Sequence, residues 1–173
     1  MRPSSATRMA DDLRQRRTRL ERFYREEVES FRATDRLSRD TASALKTVCH
    51  ALFWACALME FHKTNTAGYV AFRDSDPAAG VIAGVRYGRN RAIHQFPQLL
   101  QITEGAQFPI KLPAPFFEIS WRLRSDLPPP DPGHDDLADE YERNLQGRPV
   151  RFTFDTLDQF FGRIEAFSNL TNR

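Results

Sequence analysis

Apolar residues recur at helical spacing through the first part of the chain. Leu13, Leu20, Tyr24, Val28 and Phe31 form one stripe over residues 9–33. The other side of that segment is charged, with Glu21/Arg25, Arg22/Glu26 and Arg25/Glu29 four positions apart, which predicts a long surface helix. A second helix is expected from a cap at Thr34 or Asp35 to about His62, turning Leu37, Leu45, Val48, Leu52, Cys56 and Met59 inward. It is apolar almost all round from Ala44 to Met59, the mark of a central, buried helix. A third helix should start at Asp76, a capping residue, with Pro77 at the first helical position, where its missing N–H costs nothing. It should run to about Gln95, because Pro97 disfavours the helical conformation at Phe96.

Beyond residue 100 the pattern changes period. Pro109, Pro113 and Pro115 interrupt helix, and Phe117, Ile119, Trp121 and Leu123 then alternate with Glu118, Ser120, Arg122 and Arg124, as in a half-buried strand. Val150, Phe152 and Phe154 alternate with Arg151 and Thr153 in the same way, so the two segments are expected to pair antiparallel. They would enclose a Pro-rich turn at 128–132 and a short acidic helix near 134–146. Asp155 would cap a last helix with Leu157, Phe160, Phe161, Ile164 and Phe167 inward. The pattern predicts a mainly α protein, a helical bundle with a small two-stranded β insertion before the final helix. It reads as one domain over residues 1–173, of which about 101–150 is the Pro-rich, partly β insertion.

Composition agrees with a packed domain: 173 residues, 40% hydrophobic, with 14 Phe. The start, MRPSSATRMADDLRQRR, lacks the apolar run of a secretory signal, and no run of consecutive apolar residues approaches a membrane span, so a cytoplasmic chain without a membrane role is expected. Cys49 and Cys56 are seven apart on one helix, about 10 Å along its axis, beyond disulfide reach, and read as small core residues. The histidines show no zinc spacing and there is no Gly-rich phosphate loop, so neither metal nor cofactor is expected. The net charge of +2 says little, but its distribution says more. Residues 131–142 carry acids and no Lys or Arg. Between Asp76 and Glu104 there is no acid, while Arg86, Arg89 and Arg91 lie there. That stretch is locally cationic, as a phosphate-binding surface should be, although a solvated helix face carries the same pattern.

The chemistry concentrates in Gly88–Phe96, GRNRAIHQF. Arginine five positions before histidine is weak evidence in a chain with 25 Lys and Arg. Asn90 directly after Arg89 makes the pattern far rarer, and of the four histidines His94 alone satisfies it. Cleaving RNA without a metal requires a base for the 2′-hydroxyl, an acid for the leaving 5′-oxygen and positive charge on the pentacoordinate phosphorus. Histidine suits the proton transfers and the arginine fork suits the phosphate oxygens. Positions 90 and 94 share a helix face, whereas 89 and 94 diverge by about 140°, so two copies across a two-fold axis would assemble the groups better than one. Gly80, Gly84 and Gly88, spaced by four, form a face that another backbone can approach, and are the candidate dimer interface. Arg86 and Arg91 are candidate RNA-phosphate contacts, with Glu60 and Tyr87 as supporting groups.

RNRAIH at Arg89–His94 resembles the Arg-Asn-x3-His signature of HEPN-domain proteins, which lies on a late helix of a four- or five-helix bundle. Residues 9–100 and the last helix fit that pattern, and residues 101–150 are not explained by it. The resemblance implies a HEPN-like bundle, a metal-independent endoribonuclease of the toxin or phage-defence type, and a composite site across a homodimer. RNA and a second copy are the implied partners, and a regulatory protein is a further one. In such toxins a Tyr two positions after the His commonly accepts the silencing modification; here that position is Phe96, which has no hydroxyl, so control by that route is not expected. The alternatives are a non-catalytic HEPN-like module that binds RNA or protein, and a dimerisation protein in which Arg89 pairs with an acid across the interface.

Overall fold

The apolar stripe of the N-terminal segment generates helix α1, Ser5–Asp35, in a computed structural model that describes residues 5–35, 41–94, 99–104, 117–129 and 137–171. Along it follow α2 (Thr41–Asn65), α3 (Tyr69–Ser75), α4 (Ala79–His94), β1 (Leu100–Glu104), β2 (Phe117–Trp121), a 3-10 turn (Arg124–Asp126), α5 (Ala138–Asn144) and α6 (Val150–Thr171). The protein is mainly helical, with a small two-stranded antiparallel sheet before the last helix.

Helices α1 and α6 run antiparallel, zipped by ring contacts between Phe31 and Phe154 at 5.4 Å and between Tyr24 and Phe161 at 5.2 Å. Their rims carry ions: Arg32 donates to Asp155 and Asp158 at 2.7 and 2.8 Å, and Arg17 pairs with Glu165 at 3.5 Å. Helix α2 lies against α1 through Phe23 and Trp54 and through Glu27 and His50. By length and composition alone, its Ala42–Asn65 portion is apolar enough to cross a membrane. Here Val48, Ala51, Leu52, Ala55 and Leu58 are buried, as expected of a central helix in a bundle. The buried residues form one continuous cluster that reaches every helix and both strands.

Several boundaries differ from the sequence expectations, each for a local reason. Thr34 and Asp35 continue α1 instead of capping α2, which starts at Thr41; Leu37 and the rest of residues 36–40 lie outside the described residues. The short α3 was not foreseen; Gly68, in the left-handed region at φ 75°, reverses the chain ahead of it. The alternating segment at 150–154 is helix, not strand. Val150 and Phe154, four apart, are fully buried while Phe152 is 44% exposed, so the helical repeat that continues through Leu157 and Phe160 wins over the two-residue one. Asp155 is therefore inside α6 and serves Arg32 instead of capping. β2 pairs with β1, in the register Leu100↔Trp121 to Glu104↔Phe117. The segment before α6 adds one bridge only, Ser120↔Pro149, after a left-handed turn at Gly147. The acidic helix is present as α5; the turn at 128–132 is described only through 129.

Helix α4 starts at Ala79, two residues after the expected Pro77, but Asp76 holds the turn that leads into it. Asp76 Oδ1 accepts the Ala78 N–H at 2.8 Å, and both carboxylate oxygens take the Arg163 fork of α6 at 2.7 Å. The Arg163 hydrogen bonds hold the Asp76 carboxyl below its ordinary range. The glycine face of α4 is occupied within the chain, which corrects its assignment to a dimer interface. A Cβ on Gly84 would stand 2.6 Å from Leu145, 3.2 Å from the Glu140 carbonyl and 3.3 Å from Tyr141 Cα. One on Gly80 would meet the Asn144 side chain at 2.7 Å, and Gly88 faces the Trp121 ring at 3.8 Å. Helix α5 and strand β2 thus take the place expected for a second copy. Trp121 is fully buried there and donates its indole N–H to Thr153 of α6 at 2.8 Å.

Two predictions follow from this packing. Gly84→Ala should destabilise by about 1–3 kcal/mol, read as a lower denaturant midpoint, because the neighbouring α5 backbone must move; a stabilised variant would contradict the close approach. His62, 2% exposed and 3.2 Å from the Thr66 hydroxyl, has its pKa pushed down to about 4 by burial and by Arg17. The unfolded chain therefore takes up this proton first, near pH 6.5, and the folded state only near pH 4. Stability is full above that window and falls across it by about 3 kcal/mol. The thermal midpoint of the wild type should drop more steeply between those pH values than that of His62→Gln; parallel curves would refute the effect.

Candidate functional site

Opposite its glycine face, α4 borders a cleft shared with α2. Phe53, Cys56, Ala57 and Glu60 supply the α2 wall at helical spacing, and Arg86, Arg89 and Asn90 supply the α4 wall at the same spacing. Met59 and Leu137 complete a cavity of about 220 Å³. At about 100° of rotation per residue, positions 86, 89 and 90 centre on the side of α4 away from Gly80, Gly84 and Gly88. Burying the glycines against α5 therefore turns these three polar residues toward α2.

The two arginines are differently held. Arg89 donates from Nη1 to Asn90 Oδ1 at 3.1 Å, and its Nε is buried without a hydrogen-bond partner. An amide, unlike a carboxylate, leaves the guanidinium charge uncompensated. Arg86 is exposed and forms no ion pair among the described residues. Glu60 is the one carboxylate of the lining among the described residues, exposed and 3.5 Å from Lys63. The acid nearest in sequence before the arginines, Asp76, is engaged by Arg163. Cys56 is a free cysteine whose thiol burial pushes up to about 11, against the opposing pull of Arg89 and Arg86. It stays protonated at neutral pH and is no nucleophile there. The site offers two cationic forks, an amide and an apolar floor, a set suited to holding a phosphate diester.

Of the residues singled out from sequence, Arg86, Arg89, Asn90 and Glu60 meet in this cleft. Asn90 contacts Arg89, a partner not anticipated for it. His94 is the last residue of α4, one turn beyond Asn90 on the same backbone face; its side chain, like Phe96, lies outside the described residues. Arg91 is not a surface contact. It is 5% exposed, donates from Nη2 to the Pro128 carbonyl, and stands 5.7 Å over the Tyr87 ring. Tyr87 is itself buried, 5.2 Å from Tyr141. The reason was available in the sequence: Arg91 is three, seven and eleven positions after Gly88, Gly84 and Gly80, hence on the packed glycine side. Phe53 and Leu137 were missed as lining residues. Phe53 had a signal, since a helix apolar all round leaves some large side chain facing out.

The difference between the arginines is measurable. Arg91→Ala should cost about 1–3 kcal/mol, because it strips the Pro128 carbonyl and the Tyr87 ring of their partner, whereas Arg86→Ala should change stability by less than about 0.5 kcal/mol. Equal denaturant midpoints for the two variants would refute the assignment. The cleft is characterised by its own geometry and chemistry: no protein-family model, no curated protein and no solved structure matches this chain.

Proposed function

We propose that the protein is a metal-independent endoribonuclease of the HEPN type, acting in toxin or phage-defence fashion, with Arg89, Asn90 and His94 as its working residues. The observation that carries this is the Arg89–Asn90 pair in the α2–α4 cleft, which forms no ion pair among the described residues and has Arg86 beside it. In this mechanism Arg86 and Arg89 bind the scissile phosphate and stabilise the charge that develops on its oxygens. Asn90 fixes the direction of the Arg89 fork. His94, one turn on, takes the 2′-hydroxyl proton; the 2′-oxygen attacks phosphorus, the 5′-oxygen leaves with a proton, and a 2′,3′-cyclic phosphate remains. A second copy supplies the other His94 as the acid. With its glycine face covered by α5, α4 would meet that copy through the cleft side.

The test is incubation of wild type, His94→Ala and Arg89→Ala with labelled total RNA and tRNA in EDTA. Wild type should cleave and leave 2′,3′-cyclic ends, and each variant should lose about 100-fold or more in rate. Cleavage by His94→Ala at the wild-type rate would sink the mechanism. RNA binding without cleavage would favour a non-catalytic RNA-binding module, and a strict monomer by light scattering would remove the composite site.

A further inference from the structure

Phe53 is a large apolar side chain left 46% exposed on α2, although Ala51, Leu52 and Ala55 around it are buried. It lies on the wall of the same cleft as Arg86, Arg89 and Asn90. Its ring is backed by Trp54, 5.0 Å away and edge-on at 79°, and Trp54 in turn packs on Phe23 at 4.7 Å. The phenyl group is thus braced from behind while nearly half its surface faces water beside two cationic forks.

We propose that Phe53 is a base-stacking platform, so that the cleft takes an unpaired, single-stranded nucleotide segment and not duplex RNA. The inference rests on the ribonucleic-acid reading of the cleft and names its substrate class. In a duplex the base faces are covered by their neighbours, and the A-form groove does not present them to a side chain; a single strand can splay a base onto an aromatic ring while its phosphates reach the arginines. Charge selects this occupant over an apolar peptide or a lipid surface, because an apolar partner would leave the Arg86 and Arg89 charges desolvated and unpaired. The geometry also assigns a division of labour. Arg86 and Arg89 supply affinity that falls with salt, and Phe53 supplies affinity that does not.

The experiment uses the full chain carrying His94→Ala, so that RNA survives, and measures fluorescence anisotropy of a labelled single-stranded oligoribonucleotide and of the same sequence as a duplex. Adding Phe53→Ala should weaken single-strand binding about tenfold with the salt slope unchanged, Phe53→Trp should keep it, and Phe53→Leu, apolar but not aromatic, should not. Duplex binding should be weaker throughout and indifferent to Phe53. Wild-type affinity in Phe53→Leu, equal affinity for duplex, or a changed mass by light scattering in Phe53→Ala would overturn the proposal, the last by making Phe53 a contact between copies. Cleavage by the wild-type protein separates the two ideas: Phe53-independent binding with cleavage refutes the platform alone, and Phe53-dependent binding without cleavage refutes the ribonuclease alone.

Discussion

The arrangement depends on how closely α5 approaches α4. Two glycines one turn apart, Gly80 and Gly84, leave no side chain between the helices, and Leu145, Asn144 and the α5 backbone fill that space. Each glycine in a helix interior costs about 1 kcal/mol relative to alanine, a cost that contact between backbones offsets. Once that face is committed, the rest of α4 has no rotational freedom. Arg91 and Tyr87 must go inward with the glycines, and Arg86, Arg89 and Asn90 must face α2. Asp76 and Arg163 fix the same helix at its start by tying it to α6.

This makes the segment between α4 and α6 more than an appendage. Trp121 of β2 faces Gly88, bonds to Thr153 of α6 and takes backbone hydrogen bonds to residues 147 and 148. The small sheet therefore wedges α4 against α6 from the side opposite the cleft. Electrostatics follow from the same geometry. Acids pair with arginines on the α1–α6 rim and at Asp76, while among the described residues the α4 arginines of the cleft have an amide and a single exposed carboxylate.

Sequence periodicity was legible where one face of an element is buried and the other is wet. The stripes of α1 and α6 and the cap at Asp76 belong to that class. It misled at Val150–Phe154, where a five-residue window fits a period of two and a period of four equally well, and only the continuation to Leu157 and Phe160 against α1 decides. Three of the four polar residues of the cleft could be named from motif and charge, because Arg and Asn in an acid-free stretch are chemically conspicuous. For Phe53 the all-apolar helix signals only that some large side chain faces out; which one depends on the side that the neighbours leave uncovered.

The sequence by itself determined a mainly helical chain with a two-stranded insertion, a capped α4, and a cationic stretch containing Arg86, Arg89 and Asn90. These rest on local forces, namely side-chain period, capping and charge, which act over a few residues. Only the tertiary structure decided what the glycine face meets, that Arg91 is internal, and that β1 is the partner of β2. Those outcomes depend on contacts between residues far apart in the chain, Gly84 with Leu145 and Leu100 with Trp121, whose free energy becomes available only when the elements pack.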